Sequence, residues 1–346
     1  LVILNYKMKR IIKINFKNFW EGFDPEDNLF TNALKEKYDI FISDKPDFLF
    51  CSIYPEQTGH KDVTRKGELI RKISPKLYVI IRKIYCKINS PKQNNKINFP
   101  SGNFIKILYS TEDKKPDMTE CDWAFSPFSQ EVIKNDKHFE IPVHLSTDFY
   151  FDRSLELPFN RKINFEKIKE EKTKFCNFIY SQEINFRNKF FKLLNKYKKI
   201  DAPGRCMNNI LPIYYDTPRN SRRSNQWAIE KLKFLNSYKF TIAFENTEDH
   251  PYTTEKLVHP FLVNSIPIYL GNKNVGKYFN TESFINYNDF HNMDEFIEHI
   301  KNVDINDDLW KKYLEQPIFK TKEQHYFMSK GRFINKLNEI IETNLK

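Results

Sequence analysis

Residues 244–271, FENTEDHPYTTEKLVHPFLVNSIPIYLG, hold the densest chemistry in the chain. An apolar run ends at Phe244-Glu245-Asn246, a polar loop follows, and the pattern predicts a helix beginning near Thr253-Thr254. Glu255 and Lys256 then fall in its first turn. Helix N-termini offer free N–H groups and a partial positive charge, which suit phosphate, and Lys256 adds a full charge beside them. Glu255 is a two-oxygen acceptor suited to vicinal sugar hydroxyls, and Tyr252 could stack or hydrogen-bond at the same mouth. Taken one by one, Glu and Lys in a first helical turn are ordinary surface residues.

Such groups need a scaffold that brings them together. RIIKINF (10–16) reads as an opening strand, YDIFIS and DFLFCSI, whose length fits strands better than helices, as buried strands of a parallel sheet, and FIKILYS (104–110) as another strand. The last of them runs into Thr111-Glu112-Asp113. Residues 28–37 read as a helix, and 89–103, rich in polar residues, Pro and Gly, as a loop. The second half restarts with a strand at 174–181 and a helix at 184–199, with Phe186, Phe190, Leu193, Leu194 and Tyr197 on one face. A helix over 226–236, strands at 237–246 and 265–271, and amphipathic helices at 293–303 and 330–345 follow. In parallel α/β sheets ligands bind beyond the carboxyl ends of the strands, which places the 244–256 segment at such a mouth. The alternation predicts an α/β protein of two domains with parallel sheets. The first spans 8–150, with Met8 as the expected natural start; a densely charged connection spans 151–173 and the second domain 174–320. Residues 321–346 form a final helix expected to pack across both domains, or to rest its basic amphipathic surface on a membrane.

Composition sets outer bounds. A chain of 346 residues fits two domains of roughly 100–200 residues each. Only 8 glycines argue against a Gly-rich dinucleotide-binding design. The net charge of +11 favours an anionic partner (nucleic acid, membrane surface or phosphorylated substrate), or is a solvated basic surface. Cysteines at 51, 86, 121, 176 and 206 are too widely spaced for a CxxC site, and an odd, sparse set suits reduced thiols in the cytoplasm. No apolar run approaches the ~18 residues that span a bilayer, and LVILNYKMKR is not expected to be a signal peptide.

Together, FEN, Tyr-x-Thr-Glu-Lys and Ile-Pro-Ile-Tyr-x-Gly resemble the signature of the α-1,3/4-fucosyltransferases, glycosyltransferase family 10 of the bacterial type. KYFNTESFINYNDF resembles that family's next segment. NFWEGF, YSTED with DWAFSP, and GRCMNN extend the resemblance more thinly over about residues 10–320. The resemblance implies a GT-B architecture, two Rossmann-like domains facing across a cleft. It implies an inverting transfer of fucose from GDP-fucose to an acceptor glycan, the 3-hydroxyl of N-acetylglucosamine in an N-acetyllactosamine-type chain of lipopolysaccharide. By the same resemblance Lys256 and Arg187 match ligands of the nucleotide phosphates, and Glu255 a donor-binding acid contacting ribose or fucose hydroxyls. Tyr252 and Asn246 match donor-pocket positions, and Glu112 the catalytic base. Arg187 lies near a predicted helix start, where a phosphate role is physically reasonable. No metal is expected to be required, a divalent ion at most aiding product release. The expected location is the cytoplasm, at the inner face of the membrane. Pro260 departs from the family by interrupting the helix after Lys256, which predicts a kink.

Rival readings are weaker. GNKNVGKY (271–278) nearly spells a phosphate-binding GxxxxGK[ST] loop, but Tyr278 replaces the hydroxyl residue that would ligate magnesium. The basic residues are spread along the chain with no RNP motif or zinc knuckle, which disfavours nucleic acid. A transferase of the same fold using another GDP-sugar is the nearer alternative. No Asp-x-Asp occurs, so charge on a leaving diphosphate would fall to Arg187, Lys256 and helix termini.

Overall fold

A computed structural model describes residues 9–20, 23–54, 77, 97, 99–112, 114–143, 157–213, 226–246 and 252–345. The short apolar runs become two separate all-parallel sheets. The first contains β1 (Arg10–Lys17), β2 (Tyr38–Ile42), β3 (Phe48–Cys51), β4 (Ile105–Tyr109), β5 (Trp123–Ser126) and β6 (His138–Glu140), in the order β2-β1-β3-β4-β5-β6. A parallel strand covered on both faces reads as a continuous apolar run, and β3 is buried at all four positions. Helix α1 (Leu29–Lys35) returns the chain from β1 to β2, started by Asn28, whose side chain accepts from the N–H groups of Phe30 and Thr31. A single turn, α2 (Gln130–Ile133), joins β5 to β6.

Helix α3 (Phe165–Glu171) lies in the densely charged stretch expected to be the interdomain connection. Its charges sit on the exposed face, and Ile168 is its one buried residue. The second sheet holds β7 (Lys174–Asn177), β8 (Ile200–Asp201), β9 (Tyr238–Phe244), β10 (Ile266–Leu270) and β11 (Ile285–Asn286), in the order β11-β10-β9-β7-β8. Between them run α4 (Asn185–Tyr197), α5 (Gln226–Leu235) and α6 (Glu255–Leu262), followed by α7 (Met293–Ile305) and α8 (Asp307–Glu315). β9 is buried at all seven positions.

The buried face of α4 is rotated from the expected one. Arg187, Phe190, Phe191 and Leu194 are inside, whereas Tyr197 is 36% exposed. That set follows the i, i+3, i+4, i+7 rule with an arginine as its first member, which an apolar-only reading passes over. Pro260 sits in the last turn of α6, where the helix ends two residues later. Asn264 then turns the chain with a left-handed φ of 52°.

Helices α9 (Lys322–Phe327) and α10 (Lys330–Asn344) close the chain. Phe333 of α10 lies between Phe30 and Phe125, with ring centroids 5.8 and 5.1 Å away. Leu337, Ile340 and Ile341 are buried in the same cluster. That cluster runs from Ile12 and Phe50 of the first sheet through α10 to Tyr269, Phe279 and Phe319. The apolar face of α10 is therefore covered by protein and not available to a bilayer. No helix among the described residues is long and apolar enough to cross a membrane.

Candidate active site at the two strand-order reversals

In an open parallel sheet, the crevice for a ligand opens where consecutive crossovers leave in opposite directions. In the first sheet this point lies between β1 and β3, and in the second between β7 and β9. The residues just past those four strands are Asn18–Trp20, Ser52–Tyr54, Phe178–Tyr180 and Glu245–Asn246.

Glu245 leaves β9 buried, and its carboxylate gathers the start of α6. Oε1 accepts from the backbone N–H of Thr254 at 2.7 Å, and both oxygens accept from its hydroxyl at 2.9 Å. Oε2 accepts from Lys256 Nζ at 2.9 Å, and Lys256 also donates to Thr254 Oγ1 at 3.1 Å. Burial raises the Glu245 pKa against the pull of Lys256. Burial would lower that of Lys256, but Glu245 and Glu255 more than offset it and raise the value above the ordinary one. Lys256 is thus a held cation at the helix start, 18% of its side chain still exposed. The expected row of free N–H groups is partly self-satisfied, because Thr254 Oγ1 accepts from Lys256 N at 3.3 Å. Glu255 points to Lys231 on α5, 3.6 Å away. Burial pushes its pKa up, but Lys256 and Lys231 outweigh this and hold it at about 2.

Arg187 approaches from α4. Its guanidinium lies over the Tyr180 ring, 3.7 Å from the centroid. It donates to Gln182 O at 2.7 Å, to Asn246 Oδ1 at 3.2 Å and, at 3.5 Å, to Phe244 O. Nε is buried with no hydrogen-bond partner among the described residues. Tyr180 locks the strand ends, donating to Ile242 O at 2.8 Å and accepting from Phe244 N at 2.7 Å. Gly204 explains the GRCMNN segment: a Cβ there would lie 2.2 Å from the Tyr180 carbonyl oxygen. Gly271 is required in the same way, since a Cβ would meet Glu245 Cγ and Tyr269 Oη, each at 2.6 Å.

From the first domain comes Glu112, exposed, just past β4. Its Oε1 accepts from Tyr54 Oη at 2.7 Å. Asp113, its rival as a carboxylate, lies outside the described residues. Tyr252, before α6, is half-buried; its pKa is raised by burial first and by the charge of Glu112 second. The charge of Glu112, from the first domain, thus acts on the Tyr252 phenol of the second.

The structure therefore brings together Arg187 with Asn246, and Glu255 with Lys256. It joins those pairs through Tyr180, whose ring lies under Arg187, and through Glu245, whose charge acts on both cations. Glu112 is joined to Tyr54 instead, and reaches Tyr252 through its charge. Sequence reading had assigned no role to Glu245, Tyr180, Lys231 or Tyr54. The first three brace the cations and acids of the second domain. The available signal was position: Glu245, Tyr180 and Tyr54 each follow an apolar strand run by one to three residues. The GNKNVGKY segment forms a short 3-10 turn at Val275–Lys277 with no helix behind it, and Tyr278 is 5% exposed and bonded to Glu140. It is not a phosphate-binding loop. Among the described residues no three His, Cys, Asp or Glu side chains gather to hold a metal.

Comparison with known proteins places the chain and its fold. The model for "Glycosyltransferase family 10 (fucosyltransferase) C-term" matches residues 169–338, and that for "Alpha-(1,3)-fucosyltransferase FucT N-terminal domain" residues 14–70. A candidate fucosyltransferase of Acanthamoeba polyphaga mimivirus is 35% identical over 46% of this chain and 26% of its own. The α-(1,3)-fucosyltransferase FucT of Helicobacter pylori is 28% identical over 58% of this chain and 44% of its own. The chain thus spans less than half the length of these relatives. A crystal structure of an α1,3-fucosyltransferase with GDP-fucose superimposes with a TM-score of 0.64 at 21% identity, covering 97% of this chain and 91% of the other. The fold is that of a GT-B protein, and the chain belongs to glycosyltransferase family 10.

Proposed function

We propose that the protein is an inverting fucosyltransferase that moves fucose from GDP-fucose to a hydroxyl of an acceptor glycan. The observation that carries this is the pair of held cations at the second sheet's strand ends, Lys256 on Glu245 at 2.9 Å and Arg187 on Asn246 at 3.2 Å, with the Glu112 carboxylate held by Tyr54 at the strand ends of the first sheet. Inversion needs attack on the anomeric carbon from the face opposite the leaving GDP. A base from one domain and a cation-lined phosphate mouth from the other suit that requirement. Glu112 takes the proton of the acceptor hydroxyl as the new bond forms. Lys256 and Arg187 offset the charge on the departing diphosphate, so no metal is required. Glu255 and Tyr252 hold donor hydroxyls, with Asn246 set by its bond from Arg187. The proposed acceptor is the 3-hydroxyl of N-acetylglucosamine in an N-acetyllactosamine-type lipopolysaccharide chain, reached from the cytoplasmic face of the membrane.

The test pairs a melting-temperature shift with a mass-spectrometric screen. GDP raises the melting temperature by mass action, because it binds only the folded chain, and UDP does so far less. GDP-fucose with N-acetyllactosamine then yields a product heavier by one fucose. Equal stabilisation by GDP and UDP would sink the donor assignment, and transfer from another GDP-sugar in preference to GDP-fucose would replace the sugar.

A further inference from the structure

We propose that Tyr54 is a positioning residue for transfer, holding the Glu112 carboxylate so that one oxygen is occupied and the other faces the acceptor hydroxyl. The inference rests on the reading of Glu112 as the base. A glutamate on an exposed loop has three free side-chain torsions, and a base must sit within about 2.6–3.2 Å of the proton it takes. Something has to remove that freedom. The Tyr54 hydroxyl is 2.7 Å from Oε1, and no partner for Oε2 is found among the described residues.

Tyr54 is itself fixed by the strand-order reversal of the first sheet. Its N–H donates to the carbonyl of Asn18 at 2.9 Å. Asn18 holds a left-handed φ of 60°, so the chain leaving β1 turns back over β3. Its ring meets the edge of Trp20, with centroids 6.0 Å apart. One residue pair earlier, Ser52 ties β3 to both neighbours: its N–H donates to Lys17 O at 3.0 Å and its hydroxyl to Tyr109 O at 2.9 Å. The ends of β1, β3 and β4 are thereby bound into one unit, with the phenol and the carboxylate on its rim. This gives the Asn18-Phe19-Trp20 segment a purpose: it sets the phenol that sets the carboxylate. A phenol suits the task because, held neutral by burial and by the adjacent charge, it donates without competing as a base.

The experiment is a double-mutant cycle of Tyr54→Phe and Glu112→Gln, read as GDP released from GDP-fucose with N-acetyllactosamine present. Tyr54→Phe keeps the ring against Trp20 and removes only the hydroxyl. A hydrogen bond to a charged group corresponds to roughly 10- to 100-fold, so Tyr54→Phe is expected to lower kcat by about that factor. The KM for GDP-fucose and the melting temperature stay near those of wild type. In the Glu112→Gln background, where no carboxylate remains to aim, the same change is expected to cost less than threefold. A wild-type enzyme that releases no GDP, or a Glu112→Gln variant with most of its rate, overturns the function or the base on which this inference stands. A Tyr54→Phe variant at wild-type rate, or one whose loss persists undiminished in the Glu112→Gln background, overturns the positioning role alone.

Discussion

Glu245 shows how one buried charge organises a whole wall of the site. Its carboxylate is fully enclosed, accepts from Thr254 and is neutralised by Lys256. Removing the cation strands the anion, and breaking such a buried pair costs about 3–5 kcal/mol. Lys256→Ala is therefore expected to lower the melting temperature as well as GDP affinity, a confounded result by itself. The pH dependence separates the two effects. A carboxyl whose folded pKa is raised contributes stability below its unfolded pKa and loses it as pH rises through the folded one. Burial already raises Glu245, and losing Lys256 raises it further. The melting deficit of Lys256→Ala is thus expected to shrink as pH falls from 7 towards 5. Lys256→Ala with Glu245→Gln should recover much of the melting temperature and none of the GDP-induced shift. Recovery of both would mean that Lys256 serves the fold and not the donor. The sequence shows the Glu-Lys-Thr chemistry here but not the pairing, since adjacent Glu255 and distant Glu245 are equal suitors for Lys256 until the loop between them is folded.

At the scale of elements, the turn after β10 illustrates what a strand exit must leave room for. Gly271 closes the Ile-Pro-Ile-Tyr-x-Gly run, and its missing Cβ is the space filled by Glu245 Cγ and the Tyr269 hydroxyl. Gly271→Ala must push one of them aside, and overpacking of this kind costs about 1–3 kcal/mol. The expected outcome is a lower melting temperature together with a weakened GDP shift, because the displaced carboxylate no longer holds Lys256. A variant with an unchanged GDP shift would show that Glu245 can move without disturbing the cation. The apolar runs that became β3, β9 and β10 were legible because burial at every position leaves a continuous signal, and β1 because buried Ile12, Ile14 and Phe16 alternate with more exposed residues. β8 and β11, of two residues each, and β6, with one buried position in three, carry too little pattern to read. Arg187 as a core residue, and Tyr180 altogether, escaped for a related reason. A guanidinium stacked on a phenol fills core volume that an apolar count assigns to neither.

On the proposed mechanism the whole molecule must hold two half-sites in register, since the carboxylate comes from one sheet and the cations from the other. Part of that task falls to the shared apolar cluster through α10, and part to a few polar ties. Tyr278, from the second domain, donates to Glu140 Oε1 at the end of β6 at 2.6 Å. Arg332 of α10 donates to the Glu140 carbonyl at 2.7 Å and lies over the rings of Phe139 and Phe327, 4.1 and 4.3 Å from their centroids. Burial raises the Glu140 pKa, and the Tyr278 bond works against that rise. Tyr278→Phe keeps the ring beside Phe327 but leaves a half-buried carboxylate oxygen short of a donor, at a cost of about 1 kcal/mol. The donor wall lies wholly within the second domain, so the GDP-induced melting shift and the KM for GDP-fucose are expected to stay near wild type. Transfer to the acceptor needs Glu112 in register with that wall, so kcat should fall several-fold, and more steeply as temperature rises and the interface loosens. The measurement is kcat and KM for GDP-fucose at two temperatures, beside the GDP shift. If kcat is unchanged while stability drops, the Tyr278–Glu140 bond fastens the domains without setting their register, and the apolar cluster through Phe333 carries that role alone. If the GDP shift is lost as well, the donor wall depends on the interface and the two half-sites are not separable in the way their sheets are.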